Sequence, residues 1–335
     1  MGAQLDRISL AGFASDDRAR RAIARQVDAS LKTLGFFVIT DHGVPAALID
    51  ATVAIANAFF DLPMDEKRAI ASDVQGSPRG YLPMGLETLA YSLGQKTPPD
   101  IKEGFGMGPL GVAAEKAVID GIGATYTPNR WPARPTAFRV TVTAYYQAME
   151  RLTQALMEIF AAALALPPRF FVDRFSAHNS TLRLMNYPAQ AAPPEPGQLR
   201  AGAHTDYSAL TILLGQDRPG GLQVRRPDGT WIDARTAPHD FVINIGDLMM
   251  AWSNDTWLSN MHRVVNPPTG TGDAARRLSI AYFCNPNDDL LIECLPTCCG
   301  PERAAKYPAF RAGEHRFRKI EASKAAMAAA ERTGA

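Results

Sequence analysis

The sequence predicts a mainly β protein. A jelly-roll-like C-terminal half carries a helical N-terminal region wrapped on it, and one more helix closes the chain. Three observations predict this. Beyond Ser180 the chain breaks into many short strand-like runs divided by turn residues, the texture of a sandwich or double-layered barrel. Before Ser180, apolar residues recur instead at helical spacing. Between 77 and 135 the periodicity fades while Gly and Pro cluster, which predicts a long covering loop.

In order, a short strand covers 5–10. Asp16 and Asp17 then open an amphipathic helix carrying Ala22, Ile23, Val27, Leu31 and Leu34, and Gly35 stops it. Phe36 to Thr40 is a strand ending in the turn Asp41 to Pro45; a helix covers 46–60, and a short one begins near Pro63. Pro135 starts the longest helix, through Leu166, with Val140, Tyr145, Met149, Leu152, Leu156, Ile159 and Phe160 as its core face. The later strands are expected at 181–187, 203–206, 209–214, 221–225, 230–234, 240–245, 247–252, 259–265 and 277–284. Turns at Pro219-Gly-Gly221, Pro227-Asp-Gly229, Ser253-Asn-Asp255 and 267–272 separate several of them. Arg311 to Ala330 is a terminal helix. The chain divides into an N-terminal region 1–176, a β domain 177–300 and a helical tail 301–335, with no flexible linker and no internal repeat.

The 35 basic and 34 acidic residues leave a net charge of +1, which offers no general field for nucleic acid or an anionic membrane. The start of the chain lacks a basic segment followed by an apolar one, so no signal peptide is expected. The most apolar helical run, Leu152 to Leu166, contains Glu158 and is too short to span a bilayer. Cys284, Cys294, Cys298 and Cys299 show no C-x-x-C spacing, which fits a reduced, cytoplasmic protein.

Chemistry concentrates in two places. His204 and Asp206 stand two apart, so on an extended chain both project from one face. Two ligands hold a divalent metal poorly, and His262, in the strand-like run Trp257 to Val265, is the best third. Two histidines and one carboxylate leave the opposite coordination positions open, the arrangement used by non-haem Fe(II) oxygenases. Arg277 and Ser279 are again two apart. A guanidinium beside a hydroxyl suits a carboxylate, whereas Arg276 faces the other way; Tyr187 offers a third polar group. A lone histidine in a β-rich half is usually structural. His42 and the adjacent His239 and Asp240 read as turn residues, and His178 and His315 have no partners at ligand spacing.

Taken in order, His204-x-Asp206, His262 and Arg277-x-Ser279 resemble the Fe(II)/2-oxoglutarate-dependent oxygenases of the isopenicillin N synthase-like branch. The likeness extends over nearly the whole chain, through Gly35 to Pro45, Pro99 to Phe105, Pro128 to Pro132 and Gly246 to Met250. It implies a double-stranded β-helix in which His204, Asp206 and His262 ligate the catalytic iron. It implies that Arg277 and Ser279, assisted by Tyr187, hold the distal carboxylate of 2-oxoglutarate. O2 would be the second cosubstrate, and hydroxylation of a small molecule with release of succinate and CO2 the main outcome. The carboxylate of Asp206 argues against halogenation, since halogenating relatives lack it. Three alternatives stand beside this reading. One is an oxidase in which the Arg/Ser pair grips the substrate's own carboxylate without 2-oxoglutarate. The others are a non-catalytic metal- and ligand-binding barrel and a jelly roll built around Mn or Zn. The residues carry no signal for substrate identity or oligomeric state.

Overall fold

The computed structural model describes residues 4–72, 77–90, 97–111, 127–190 and 192–333, with side-chain environments through residue 322. Helix α1 (Asp17–Thr33) starts where the Asp16 carboxylate accepts a hydrogen bond from the Arg18 N–H at 2.8 Å. It buries Ile23, Ala24, Val27 and Leu31, the stripe expected from the spacing. Helices α2 (Ala46–Phe60), α3 (Met64–Arg68) and α4 (Phe138–Ala163) complete the N-terminal helical layer. Helix α4 buries Tyr145, Met149, Leu152, Leu156, Ile159 and Phe160, but Val140 is 68% exposed. The reason is angular: two residues are about 200° of helix, so Val140 points away from the face set by the buried Val142.

This layer packs on one side of an eight-stranded sheet in the order β1-β2-β10-β7-β12-β5-β4-β3. The strands are β1 (Arg7–Ser9), β2 (Phe36–Thr40), β3 (Gly80–Leu82), β4 (Glu103–Met107), β5 (Thr181–Tyr187), β7 (Leu210–Leu214), β10 (Phe241–Ile245) and β12 (Arg277–Cys284). Alternation divides each strand between the two faces. In β12, Leu278, Ile280 and Tyr282 join the helix-side core, leaving Arg277, Ser279, Ala281 and Phe283 on the other side. Opposite that second face lies a four-stranded sheet, β6-β11-β8-β9, made of β6 (Ala201–His204), β8 (Leu222–Arg225), β9 (Trp231–Asp233) and β11 (His262–Val264). Phe36, Val38, Leu222, Val224 and Val242 form a separate apolar cluster that joins the two sheets. A short pair, β13 (Leu291–Ile292) with β14 (Phe310–Arg311), leads into α6 (Ala312–Thr333).

Two expectations need correction. The stretch 77–135 is not loop throughout, because β3 and β4 extend the large sheet beyond β5. Its strand signal was diluted by glycines that the packing demands: a Cβ on Gly106 would stand 1.9 Å from the Pro78 carbonyl oxygen. The run 247–252 is a helix, α5 (Asp247–Trp252), rather than a strand. Nearly every residue in it is buried, and a short apolar run buried on all sides has no period to separate the two states.

His239 sits in a turn at φ +67°, pairs with Asp50, and offers its carbonyl to His42 Nε2 at 2.8 Å. His178 pairs with Glu150. The four cysteines are free thiols. Among the described residues no helix is long and apolar enough to cross a membrane.

Candidate active site

The small sheet brings the two histidines together. Strands β6 and β11 run antiparallel with His204 directly opposite His262, and their rings lie 4.2 Å apart between centroids. Asp206 follows two residues after the end of β6, just past the strand rather than inside it as the spacing suggested. Its Oδ1 lies 3.8 Å from His204 Nε2 and 3.7 Å from His262 Nε2. One ligand atom from each residue falls within 4.8 Å of the other two, and among the described residues this is the cluster able to hold a metal ion.

The hydrogen bonds aim these atoms. His204 Nδ1 lies 2.7 Å from the Gly202 carbonyl, and His262 Nδ1 lies 3.1 Å from the Asn260 carbonyl. A carbonyl only accepts, so each Nδ1 carries the proton and each Nε2 keeps a free lone pair. Asp206 Oδ2 accepts from Thr211 Oγ1 at 2.6 Å and Asn244 Nδ2 at 2.7 Å, leaving Oδ1 turned to the imidazoles. Burial works against ionisation of Asp206, but His262, His204 and these two hydrogen bonds outweigh it and hold the carboxyl below its ordinary value. Burial, reinforced by His262, pushes His204 well below the ordinary imidazole range. Two neutral imidazoles and one carboxylate form a donor set that fits a divalent iron with open positions.

Thr211, Asn244 and Asp247 escaped the sequence reading. Thr211 and Asn244 are cross-strand partners of β7 and β10, so they meet only once the register is set. A signal was present in β10, where Asn244 stands alone among Phe241, Val242, Ile243 and Ile245. Asp247 ties the site to its surroundings. Its N–H donates to the Asp206 carbonyl, and its carboxylate accepts from Thr205 Oγ1 (3.3 Å), Ser259 Oγ (2.7 Å) and Lys319 Nζ of α6 (2.8 Å). The preceding Gly246 must be glycine, since a Cβ there would approach the Ser208 carbonyl oxygen to 2.1 Å.

The second group lies on the facing sheet. Arg277 pairs in register with Tyr187, and Ser279 with Met185, so all four side chains share the face turned to the small sheet. Arg277 is 4% exposed, with its guanidinium carbon 5.6 Å from the Tyr187 ring centroid. Its Nε and Nη1 have no hydrogen-bond partner, and Nη2 reaches only the Gln216 carbonyl at 3.4 Å. A buried guanidinium with two idle donors is costly without an acceptor, and a carboxylate supplies one. There is room for it beside Gly215 and Gly221, where added Cβ atoms would lie 3.4 and 3.6 Å from the Arg277 terminal nitrogens. Arg276 points elsewhere, to Asp61 and Asn186.

Comparison with known proteins agrees with this geometry. A family profile described as the 2OG-Fe(II) oxygenase superfamily matches residues 178–286. A second, described as the N-terminal region of the non-haem dioxygenase in morphine synthesis, matches 5–134. The chain is 35% identical over 301 residues to the 2-oxoglutarate-Fe(II) type oxidoreductase hxnY of Emericella nidulans, covering 88% of this chain and 83% of that one. It is 31% identical over 311 residues to a validamycin A dioxygenase of Streptomyces hygroscopicus subsp. limoneus, covering 91% and 82%. Among solved structures, a full-length Neurospora crassa protein crystallised with alpha-KG (2-oxoglutarate) superposes with a TM-score of 0.84 at 30% identity, covering 95% of this chain and 96% of that one. The chain therefore belongs to the 2OG-Fe(II) oxygenase superfamily, and it is a 2-oxoglutarate-dependent dioxygenase built on a double-stranded β-helix.

Proposed function

We propose that His204, Asp206 and His262 hold the iron, that Arg277 with Ser279 and Tyr187 holds the distal carboxylate of 2-oxoglutarate, and that the protein hydroxylates a small polar molecule. The observation that carries the reading is the convergence of three aimed ligand atoms opposite a buried guanidinium with unsatisfied donors. In this reading residues 177–300 carry the chemistry, with 1–176 and 301–335 packed around them.

The bound iron and 2-oxoglutarate supply the oxidant that removes a hydrogen atom from a C–H bond of the substrate. The chain supplies geometry. Carbonyls of Gly202 and Asn260 keep both imidazoles in the ligating tautomer. Thr211 and Asn244 restrict Asp206 to one free oxygen, which preserves open positions on the metal. Lys319, paired with Asp247 and 5.6 Å from the Tyr207 ring centroid, ties α6 to the residue that braces Asp206.

Beyond Ser279 the same sheet face continues through the cross-strand pairs Ala281 with Arg183 and Phe283 with Thr181. Arg183 donates to Glu87 at 2.6 Å, and Glu87 also meets Lys102 at 3.2 Å. This half-buried polar wall supports a substrate with a hydrogen-bonding group beside an apolar body. The Neurospora crassa relative has been solved with thymine and with 5-formyluracil, both small and polar. A screen of small polar molecules for substrate-stimulated succinate release tests the proposal. The expected hit raises succinate release in wild type, and its signal disappears in His262→Ala. Hydroxylation that persists in folded His262→Ala would remove the proposed metal site.

A further inference from the structure

Arg200 has 0% exposure, and its guanidinium is held by main chain alone. Nη1 donates to the Pro219 carbonyl at 3.3 Å, and Nη2 donates to the carbonyls of Pro188 (3.0 Å) and Ala275 (2.5 Å), while Nε has no partner. Those carbonyls follow Tyr187, precede Arg277 and border the loop over it. Arg200 therefore knits together the three segments that enclose the Arg277 guanidinium. It also lies against the same aromatic ring: its guanidinium carbon is 5.9 Å from the Tyr187 centroid, against 5.6 Å for Arg277. The two charges are thus no more than about 12 Å apart. Burial pulls Arg200 down to about 10, and the charge of Arg277 pulls the same way.

Neither arginine has an ion-pair partner among the described residues. The acidic group that acts on Arg277, Asp217, is exposed on the loop after β7. Buried charges are ordinarily paired, because a lone one loses its hydration without return. Two buried cations flank one ring, and three of their nitrogens have no hydrogen-bond partner, a charge arrangement that suits an anion.

We propose that Arg200 is the second positive charge of the 2-oxoglutarate pocket, attracting the distal carboxylate through its field while Arg277 makes the hydrogen bonds. The inference rests on the assignment of Arg277 to that carboxylate. It differs from a merely structural role in one respect. A clamp that only shapes the Arg277 pocket is lost with the guanidinium fork, whereas a charge is kept by lysine and still favours the ligand that carries the second carboxylate.

The test compares 2-oxoglutarate with 2-oxobutyrate, which keeps the 2-oxo acid head and lacks the distal carboxylate. Both are titrated anaerobically against the Fe(II) protein by the absorbance of the metal–ligand chelate. Arg200→Gln is expected to weaken 2-oxoglutarate roughly tenfold or more, the effect of a charge about 12 Å away at an effective dielectric of about 20. The loss for 2-oxobutyrate should be roughly tenfold smaller, because the nearer, distal charge is the one it lacks. Arg200→Lys, which keeps the charge and loses the fork, should retain most of the preference. It also carries the test should Arg200→Gln fail to fold. Equal losses for both ligands, no loss in Arg200→Gln, or a preference abolished in Arg200→Lys overturns the inference. Arg277→Leu, measured alongside, separates the two assignments. Unchanged 2-oxoglutarate affinity there dismisses the pocket itself, whereas a large loss there with a flat Arg200 series dismisses only the second charge.

Discussion

The two ends of the active site are finished to different degrees. At the metal end the atoms that do not face the ion are satisfied by the chain: each imidazole Nδ1 on a carbonyl, and Asp206 Oδ2 between Thr211 and Asn244. At the carboxylate end two nitrogens of Arg277 and one of Arg200 are buried without partners. The proposed metal ligands are held in place by the chain, while the proposed carboxylate pocket buries guanidinium nitrogens that a carboxylate would satisfy. Substitutions at the two ends should therefore act in opposite ways on the empty protein. Damage at the metal end disturbs a completed network, and removal of the pocket's charge removes a desolvation cost.

The largest effect tests the completed end. His262→Ala or Asp206→Gly leaves two protein ligands, and stoichiometric Fe(II) binding should be lost while the circular dichroism spectrum stays that of a folded protein. Anaerobic Fe(II) titration reads this directly, and undiminished binding in either variant removes that residue from the metal site.

The unfinished end comes next. Arg277→Leu should weaken 2-oxoglutarate by about 2–5 kcal/mol, roughly thirtyfold to several thousandfold, because it removes a charge-assisted contact in a buried pocket. The same variant should leave the Tm of the empty protein unchanged or raised, since it replaces an unpaired buried charge with an apolar side chain. A marked fall in Tm would break the contrast between the two ends.

What the sequence disclosed follows the same division. Spacing made both groups legible: Arg277 and Ser279 alternate within β12, while Asp206 meets His204 from just past the end of β6. His262 was found by chemistry and order, though its position opposite His204 depends on a register between strands far apart in the chain. Residues that act through register alone stayed hidden. Thr211 and Asn244 become neighbours only when β7 and β10 pair, and Arg200 reaches Ala275 across 75 residues. The misread helix α5 belongs with these, since burial on all sides erased the period that would have marked it.

Those hidden residues give a sharper and smaller test. Thr211→Val and Asn244→Leu remove the donors that hold Asp206 Oδ2, and each should weaken Fe(II) binding roughly ten- to hundredfold, as loss of such supporting hydrogen bonds commonly does. Thr211→Ser, which keeps the hydroxyl, should restore most of the affinity. Rescue by serine separates a role in orienting the carboxylate from simple packing, and equal losses in the valine and serine variants would assign Thr211 to packing.

The smallest effect is a slope with pH, and it too should belong to one end. In the metal-free protein, burial and the neighbouring His262 hold His204 well below the ordinary imidazole value. An unfolded chain takes up that proton near pH 6.5, while the folded chain refuses it until much lower pH. Below about 6.5 the unfolded state binds more protons, so stability falls as the pH falls. Asp206 acts in the same direction further down: its carboxyl is depressed in the fold, so its contribution is present above about pH 4 and is lost on acidification below that. His315, lowered to about 4 by burial, adds a slope common to every variant. Arg277 stays protonated throughout this range and adds none. The Tm of the metal-free wild type should therefore fall between pH 7 and 5, and His204→Gln should flatten that fall while Arg277→Leu keeps it. A full slope in His204→Gln would show that the buried imidazole does not resist protonation, and a flattened one in Arg277→Leu would show that the two ends are not electrostatically separate.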